Sequence, residues 1–109
     1  MSKNTNLCGK IIYKGELLPA SLSFAETINE IKIEKDKNYK NYIVPGFVDL
    51  HCHGGNGYDC MEGLDSIKDM SSYHLKHGTT TLYPTTVTSE FKNTFQALKG
   101  LKKFCVQVL

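Results

Sequence analysis

The run Val44-Pro45-Gly46-Phe47-Val48-Asp49-Leu50-His51-Cys52-His53-Gly54-Gly55 constrains this chain more than any other part of it. In an extended strand successive side chains point to opposite faces, so Asp49, His51 and His53 project together and Cys52 projects away. Two imidazoles about 6 to 7 Å apart along one strand face can close on the same metal ion, or on adjacent ones. With only two ligands from the strand, the arrangement suits activation of a water molecule better than a closed structural site. The remaining ligands must come from elsewhere.

The strand sits inside an alternating pattern. Phe47-Val48-Asp49-Leu50 reads as a buried strand, and Gly54, Gly55 and Gly57 as a loop in which backbone can approach a ligand. A helix is expected from about Leu64 to His77, with Asp65 in its first turn and Gly78 at C′. Its inner face would carry Ile67, Met70, Ser71, His74 and Leu75. Thr79 to Tyr83 is a second β-rich run, ended by Pro84. Thr88 or Ser89 then caps a second helix with Glu90 in its first turn, and Phe91, Phe95, Leu98 and Leu101 form a stripe that reads as core packing. Val106-Gln107-Val108-Leu109 reads as the opening of a third strand. Strand, helix, strand, helix and strand is the order of a parallel α/β unit, with the strands adjacent and helices over one face.

Residues 1–43 look different. Leu7 to Lys14, Ser21 to Phe24 and Thr27 to Glu34 read as short strands, punctuated by Gly15 and Pro19, with Ile31 and Ile33 on one face and Ile28 on the other. Lys35-Asp36-Lys37-Asn38 is a turn or exposed loop. A small β-meander without chemistry is the reading for this segment.

Bulk properties narrow the classes. The 109 residues fit one small domain or a piece of a larger one. No stretch has the roughly 18 to 20 apolar residues needed to span a bilayer, and the polar start resembles no secretory signal. Cys8, Cys52, Cys60 and Cys105 form no Cys-x-x-Cys pair and read as free thiols in a reducing cytoplasm. A net charge of +2 leaves no nucleic-acid footprint. All 13 basic residues are lysine, so a tight anion clamp must use lysine, backbone amides or another polypeptide segment instead of arginine's planar fork.

Pro45 to Gly54 resembles the first barrel strand of the amidohydrolase superfamily. More narrowly, His53-Gly54-Gly55-Asn56-Gly57-Tyr58-Asp59-Cys60-Met61 and His77-Gly78-Thr79-Thr80-Thr81-Leu82-Tyr83-Pro84-Thr85-Thr86-Val87-Thr88-Ser89 are similar to the N-acetylglucosamine-6-phosphate deacetylase family. The two runs stand one helix apart, as that family requires. The resemblance covers residues 44–109 and implies the start of a (β/α)8 barrel, with residues 1–43 compatible with part of a small β-sandwich. It implies metal-dependent hydrolysis of an amide, turning N-acetylglucosamine 6-phosphate into acetate and glucosamine 6-phosphate, in a cytoplasmic homodimer. His51 and His53 would be the metal ligands, in the variant with a second metal position. Zinc, iron and manganese all suit such ligands.

The family takes a glutamate ligand from its third strand, histidines from the fifth and sixth, and its catalytic aspartate from the eighth. The resemblance therefore implies that no catalytic residue, and no segment holding the sugar phosphate, lies within these residues. Two further readings stay open. One is another amidohydrolase, such as a cyclic amidase. The other is an inactive truncated fragment, prone to aggregate or dependent on a companion chain. Outside the histidine pair, Asp49 reads as orienting the strand or a histidine, Asp59 as a turn residue or hydrogen-bond acceptor, and Cys52 as a buried small hydrophobe. Cys60 lies near the glycine loop. His74 and His77 read as packing, capping or solvent-facing groups. Thr85, Thr86 and Thr88 read as active-face loop residues or as structural caps.

Overall fold

A computed structural model describes residues 4–107. The chain divides into two compact units, residues 1–45 and 46–109.

The first unit is an antiparallel sheet in the order β1 (Thr5–Tyr13), β2 (Glu16–Phe24), β3 (Ile28–Ile33). Lys14 and Gly15 join β1 to β2 with φ of 51° and 85°, the two left-handed residues of a tight hairpin. Ile11, Ala20 and Leu22 are buried at its centre, with Ile33 and Ile43 packed against them. Two expectations are corrected here. Pro19 lies inside the central strand, opposite Lys10, and does not end it. The Lys10 amide and carbonyl turn outward, to Asn41 O at 2.8 Å and Ile43 N at 2.9 Å. The missing Pro19 donor therefore faces the β3 side, just past the last ladder pair, Ile33 opposite Ala20, where the Glu34 amide still donates to the Pro19 carbonyl at 2.8 Å. Proline forgoes only the reciprocal bond to Glu34, at the very end of that ladder. Ile28 joins the face of Ile31, because Ser23 pairs with Glu30 while Phe24 pairs with Ile28. The extra residue, Asn29, is a bulge that reverses the alternation.

The second unit opens with β4 (Phe47–Cys52), followed by β5 (Gly54–Gly55) and β6 (Tyr58–Asp59), a 3₁₀ turn over Cys60–Glu62, α1 (Leu64–Lys76), β7 (Thr79–Pro84) and α2 (Phe91–Gln107). β4 and β7 pair in parallel, the side-by-side placement expected of a strand–helix–strand crossover. α1 ends as expected: the His77 amide closes the last turn and Gly78 follows at φ 96°. Cys60, Ile67 and Met70 are buried, and Met61, Leu82, Leu101 and Phe104 pack against them. Leu75, read as an inner-face residue of α1, is exposed.

The glycine loop is itself structured. Asn56 and Gly57, at φ 55° and 84°, form the tight turn of a miniature hairpin pairing Gly54 with Asp59 and Gly55 with Tyr58. Four other expectations for this unit change. Phe47, Val48 and Leu50 are exposed and not buried, because α1 packs on β7 and the β5–β6 hairpin and leaves β4 uncovered. Residues 106–107 continue α2 and are not strand, while 108–109 lie outside the described residues. α2 is also rolled relative to its apolar stripe. Phe91 is 84% exposed, and Phe95 and Leu98 are also exposed. The face that packs inward is Ala97, Gly100, Leu101 and Phe104. A β-carbon on Gly100 would lie 3.1 Å from the Leu64 amide nitrogen. Small residues let the helix approach, and counting apolar side chains undervalues them. The helix begins after Glu90, whose carbonyl accepts from the Asn93 and Thr94 amides at 3.0 and 3.1 Å. The Ser89 hydroxyl meets the Asn93 side chain at 3.4 Å and not a backbone amide.

Candidate metal centre

The site is built where β4 and β7 end together. The Thr85 amide donates to the Cys52 carbonyl at 2.7 Å, fastening the residue after β7 to the last residue of β4. His51 and His53, on either side of Cys52, then bring their Nε2 atoms to 3.1 Å, with ring centroids 4.6 Å apart and planes at 78°. Cys52 is buried on the opposite side of the strand. The alternation read from the sequence thus brings the two rings together on one side of the strand, with His51 exposed and His53 half-buried.

Hydrogen bonding sets the chemistry of His53. Its Nδ1 lies 2.6 Å from the Thr85 carbonyl oxygen, which can only accept, so Nδ1 carries the proton. In the neutral ring Nε2 then presents its lone pair toward His51. A carbonyl holding the distal nitrogen of a ligating histidine is the usual device for fixing tautomer and ring angle. Two nitrogens 3.1 Å apart, each about 2.0–2.1 Å from a shared cation, subtend roughly 100°, close to tetrahedral. The donor pair therefore fits a divalent cation. Among the described residues, no group of three or more His, Cys, Asp or Glu side chains converges on one point.

The neighbouring residues fall into supporting places. Asp49 Oδ1 accepts from the His51 amide at 3.1 Å, which orients the strand. Asp59 caps the 3₁₀ turn, accepting from the Met61 amide at 2.8 Å. His77 Nδ1 donates to the Tyr73 carbonyl at 2.8 Å and caps α1. The Cys60 thiol donates to the same Thr85 carbonyl at 2.9 Å, and the Cys60 amide holds the His53 carbonyl at 2.8 Å. Two contributions were not legible in the sequence. Thr85 acts through its carbonyl, which no side-chain motif reveals, with its hydroxyl 3.2 Å from the same Nδ1. His74 reaches back from α1 to the glycine hairpin, its Nε2 3.1 Å from Gly54 O and 3.3 Å from Cys52 Sγ. Its helical spacing with Ile67 and Met70, opposite a glycine loop, was the available signal.

Burial pushes the Cys52 and Cys60 thiols above their ordinary value of 9.0, and the carboxylates of Asp49 and Asp59 respectively add to the effect. Alkylation of Cys52 and Cys60 by iodoacetamide at pH 8 is expected to lag well behind that of the exposed Cys8 and Cys105. Peptide mass spectrometry reads the rates, and equal labelling of all four before denaturation would contradict the buried placement. Because these acids are raised in the folded state, the stability they contribute is complete below pH 9.0 and is lost as pH climbs through the raised values.

No family model and no solved structure matches the chain. It is 40% identical over 63 residues to N-acetylglucosamine-6-phosphate deacetylase of Bacillus subtilis (strain 168), covering 57% of this chain and 16% of that protein. It is 37% identical over 62 residues to the enzyme of the same name from Vibrio furnissii, covering 56% and 16%. N-acetylgalactosamine-6-phosphate deacetylase of Escherichia coli O157:H7 is 29% identical over 79 residues, covering 72% and 21%. The chain thus spans only about a fifth or less of the length of these relatives. Over that partial stretch, the family this chain resembles is that of the N-acetylglucosamine-6-phosphate deacetylases and their galactosamine counterparts.

Proposed function

We propose that residues 46–109 are the opening two βα units of a (β/α)8 deacetylase barrel, that the β-rich segment before them belongs to a small β-sandwich, and that His51 and His53 ligate a divalent cation. The observation that carries this is the Nε2 pair at 3.1 Å, with the His53 proton committed to Thr85. Its position at the carboxyl end of a strand in a parallel pair is where barrel enzymes place their chemistry. The relatives' names supply the reaction, deacetylation of an N-acetylhexosamine 6-phosphate.

Zinc, iron or manganese, once bound, supplies an acidified water and polarises the amide carbonyl. This chain's share is narrower. Thr85 keeps the His53 proton on Nδ1 and its lone pair on Nε2, Asp49 steadies the His51 backbone, and the Cys60 amide holds the His53 carbonyl. Among the described residues no third His, Cys, Asp or Glu joins the pair, so a further ligand and the group that protonates the leaving amine are to come from other polypeptide. The phosphate of the substrate has no arginine to meet here. Four free thiols agree with a cytoplasmic enzyme. The exposed Phe47, Val48, Leu50 and Tyr83 agree with a segment that associates with further polypeptide or aggregates without it.

Cobalt titrated into the chain should give a visible spectrum that His51→Ala and His53→Ala each weaken by about tenfold or more in affinity. The chain by itself should release no acetate from N-acetylglucosamine 6-phosphate. A longer protein containing it should do so, and should lose that activity in the His53→Ala variant. Turnover by the chain alone, or cobalt binding indifferent to both histidines, would refute the proposal. The galactosamine relative favours a second substrate, so both epimers belong in the assay.

A further inference from the structure

We infer that His74 of α1 is a positioning residue for the metal pair, acting through the Gly54 carbonyl and the bare backbone of Gly55; this rests on the reading of His51 and His53 as ligands. His74 Nε2 lies 3.1 Å from Gly54 O. A carbonyl accepts only, so Nε2–H is the donor and the proton sits on that nitrogen. The Cys52 thiol donates to the same oxygen at 3.3 Å and lies 3.3 Å from the imidazole nitrogen. These partners are the residues immediately before and after His53. The contact is close by construction: a β-carbon on Gly55 would stand 2.6 Å from His74 Nε2, a separation that packed atoms do not tolerate.

His53 is otherwise held from two directions, by the Thr85 carbonyl on its ring and by the Cys60 amide on its own carbonyl. The Cys60 amide and the pairing of Gly54 with Asp59 tie the backbone leaving His53 to the hairpin only, and neither anchors it to α1. His74 does, and ties that backbone to a helix anchored by buried Ile67 and Met70. Removing the tie lets the hairpin pivot, which opens the angle between the His51 and His53 lone pairs without deleting a ligand.

The test compares the full chain with its His74→Leu and His74→Gln variants by cobalt titration and by ¹⁵N spectra of the imidazole nitrogens. Leucine should weaken cobalt binding about 10- to 100-fold, and His53 should lose its single Nδ1–H tautomer. Glutamine, which can place an amide N–H near the position of Nε2, should restore both to within about threefold of the unaltered chain, a rescue that space-filling alone does not give. Unchanged affinity and tautomer in His74→Leu would overturn the inference. Should cobalt binding by the unaltered chain ignore His51→Ala, the ligand reading fails, and the His53 tautomer alone then judges His74. Should His74→Leu fail to fold, Gly55→Ala, which keeps the imidazole and displaces it, must weaken binding similarly or the inference falls.

Discussion

Gly54→Ala is expected to destabilise the second unit by about 1–3 kcal/mol and to lower metal affinity along with it. A β-carbon at this position would collide with the Tyr58 carbonyl oxygen, and the next nearest atoms, Asp59 Cα and Tyr58 C, are 3.3 Å away. All are backbone atoms of the paired strand, so no rotamer change relieves the clash. The hairpin must open, and it carries the Cys60 amide that holds the His53 carbonyl at 2.8 Å. Gly57→Ala is the control. Nothing lies within 4 Å of a β-carbon there, and only the left-handed backbone at φ 84° is strained, a penalty of about 1 kcal/mol. Denaturant unfolding together with cobalt titration separates the two variants. Equal, small effects would mean that the hairpin does not support the histidine pair.

The second large effect concerns the core beneath the site. Ile67 is fully buried beside Met70 and Cys60, and Ile67→Ala should cost about 2–5 kcal/mol through lost burial and the cavity left behind. At roughly 0.05–0.15 kcal/mol per residue, a unit of this size has only several kcal/mol in total. The variant should therefore be largely unfolded near room temperature and lose its cobalt signal. Phe91→Ala deletes a larger side chain that is 84% exposed, and should change stability by about 0.5 kcal/mol or less. Circular dichroism melts on both variants read the contrast. A Phe91→Ala loss as large as that of Ile67→Ala would show that the aromatic ridge, and not the Ala97–Gly100 face, packs inward.

That contrast marks where sequence reading succeeds. α1 could be placed within a residue because its signals are local: Asp65 in the first turn, Ile67 and Met70 in helical register, Gly78 past the end. The strand from Thr79 and its parallel pairing with β4 followed from composition and the crossover rule. α2 was located but rolled to the wrong face, since Phe91, Phe95 and Leu98 outweigh Ala97 and Gly100 on any apolar count. What decides its face is the room a neighbouring helix leaves, and glycine at 100 lets that helix come close. Likewise Pro19 is tolerated in a central strand because it falls where the β3 ladder ends, beside Glu34, and needs only to accept there.

By itself, the amino-acid order determined that His51 and His53 share one side of an extended segment and that Cys52 takes the other, because strand alternation is a property of each residue's own backbone. What fixes the two rings in place and sets the His53 tautomer was decided only by the folded chain. The Thr85 carbonyl that fixes the His53 proton comes from 32 residues away, and the His74 imidazole that braces the following glycines is 22 residues from Cys52. Hydrogen bonds to backbone carbonyls leave no residue-type signature, since every residue carries one, so packing alone selects which carbonyl meets which ring.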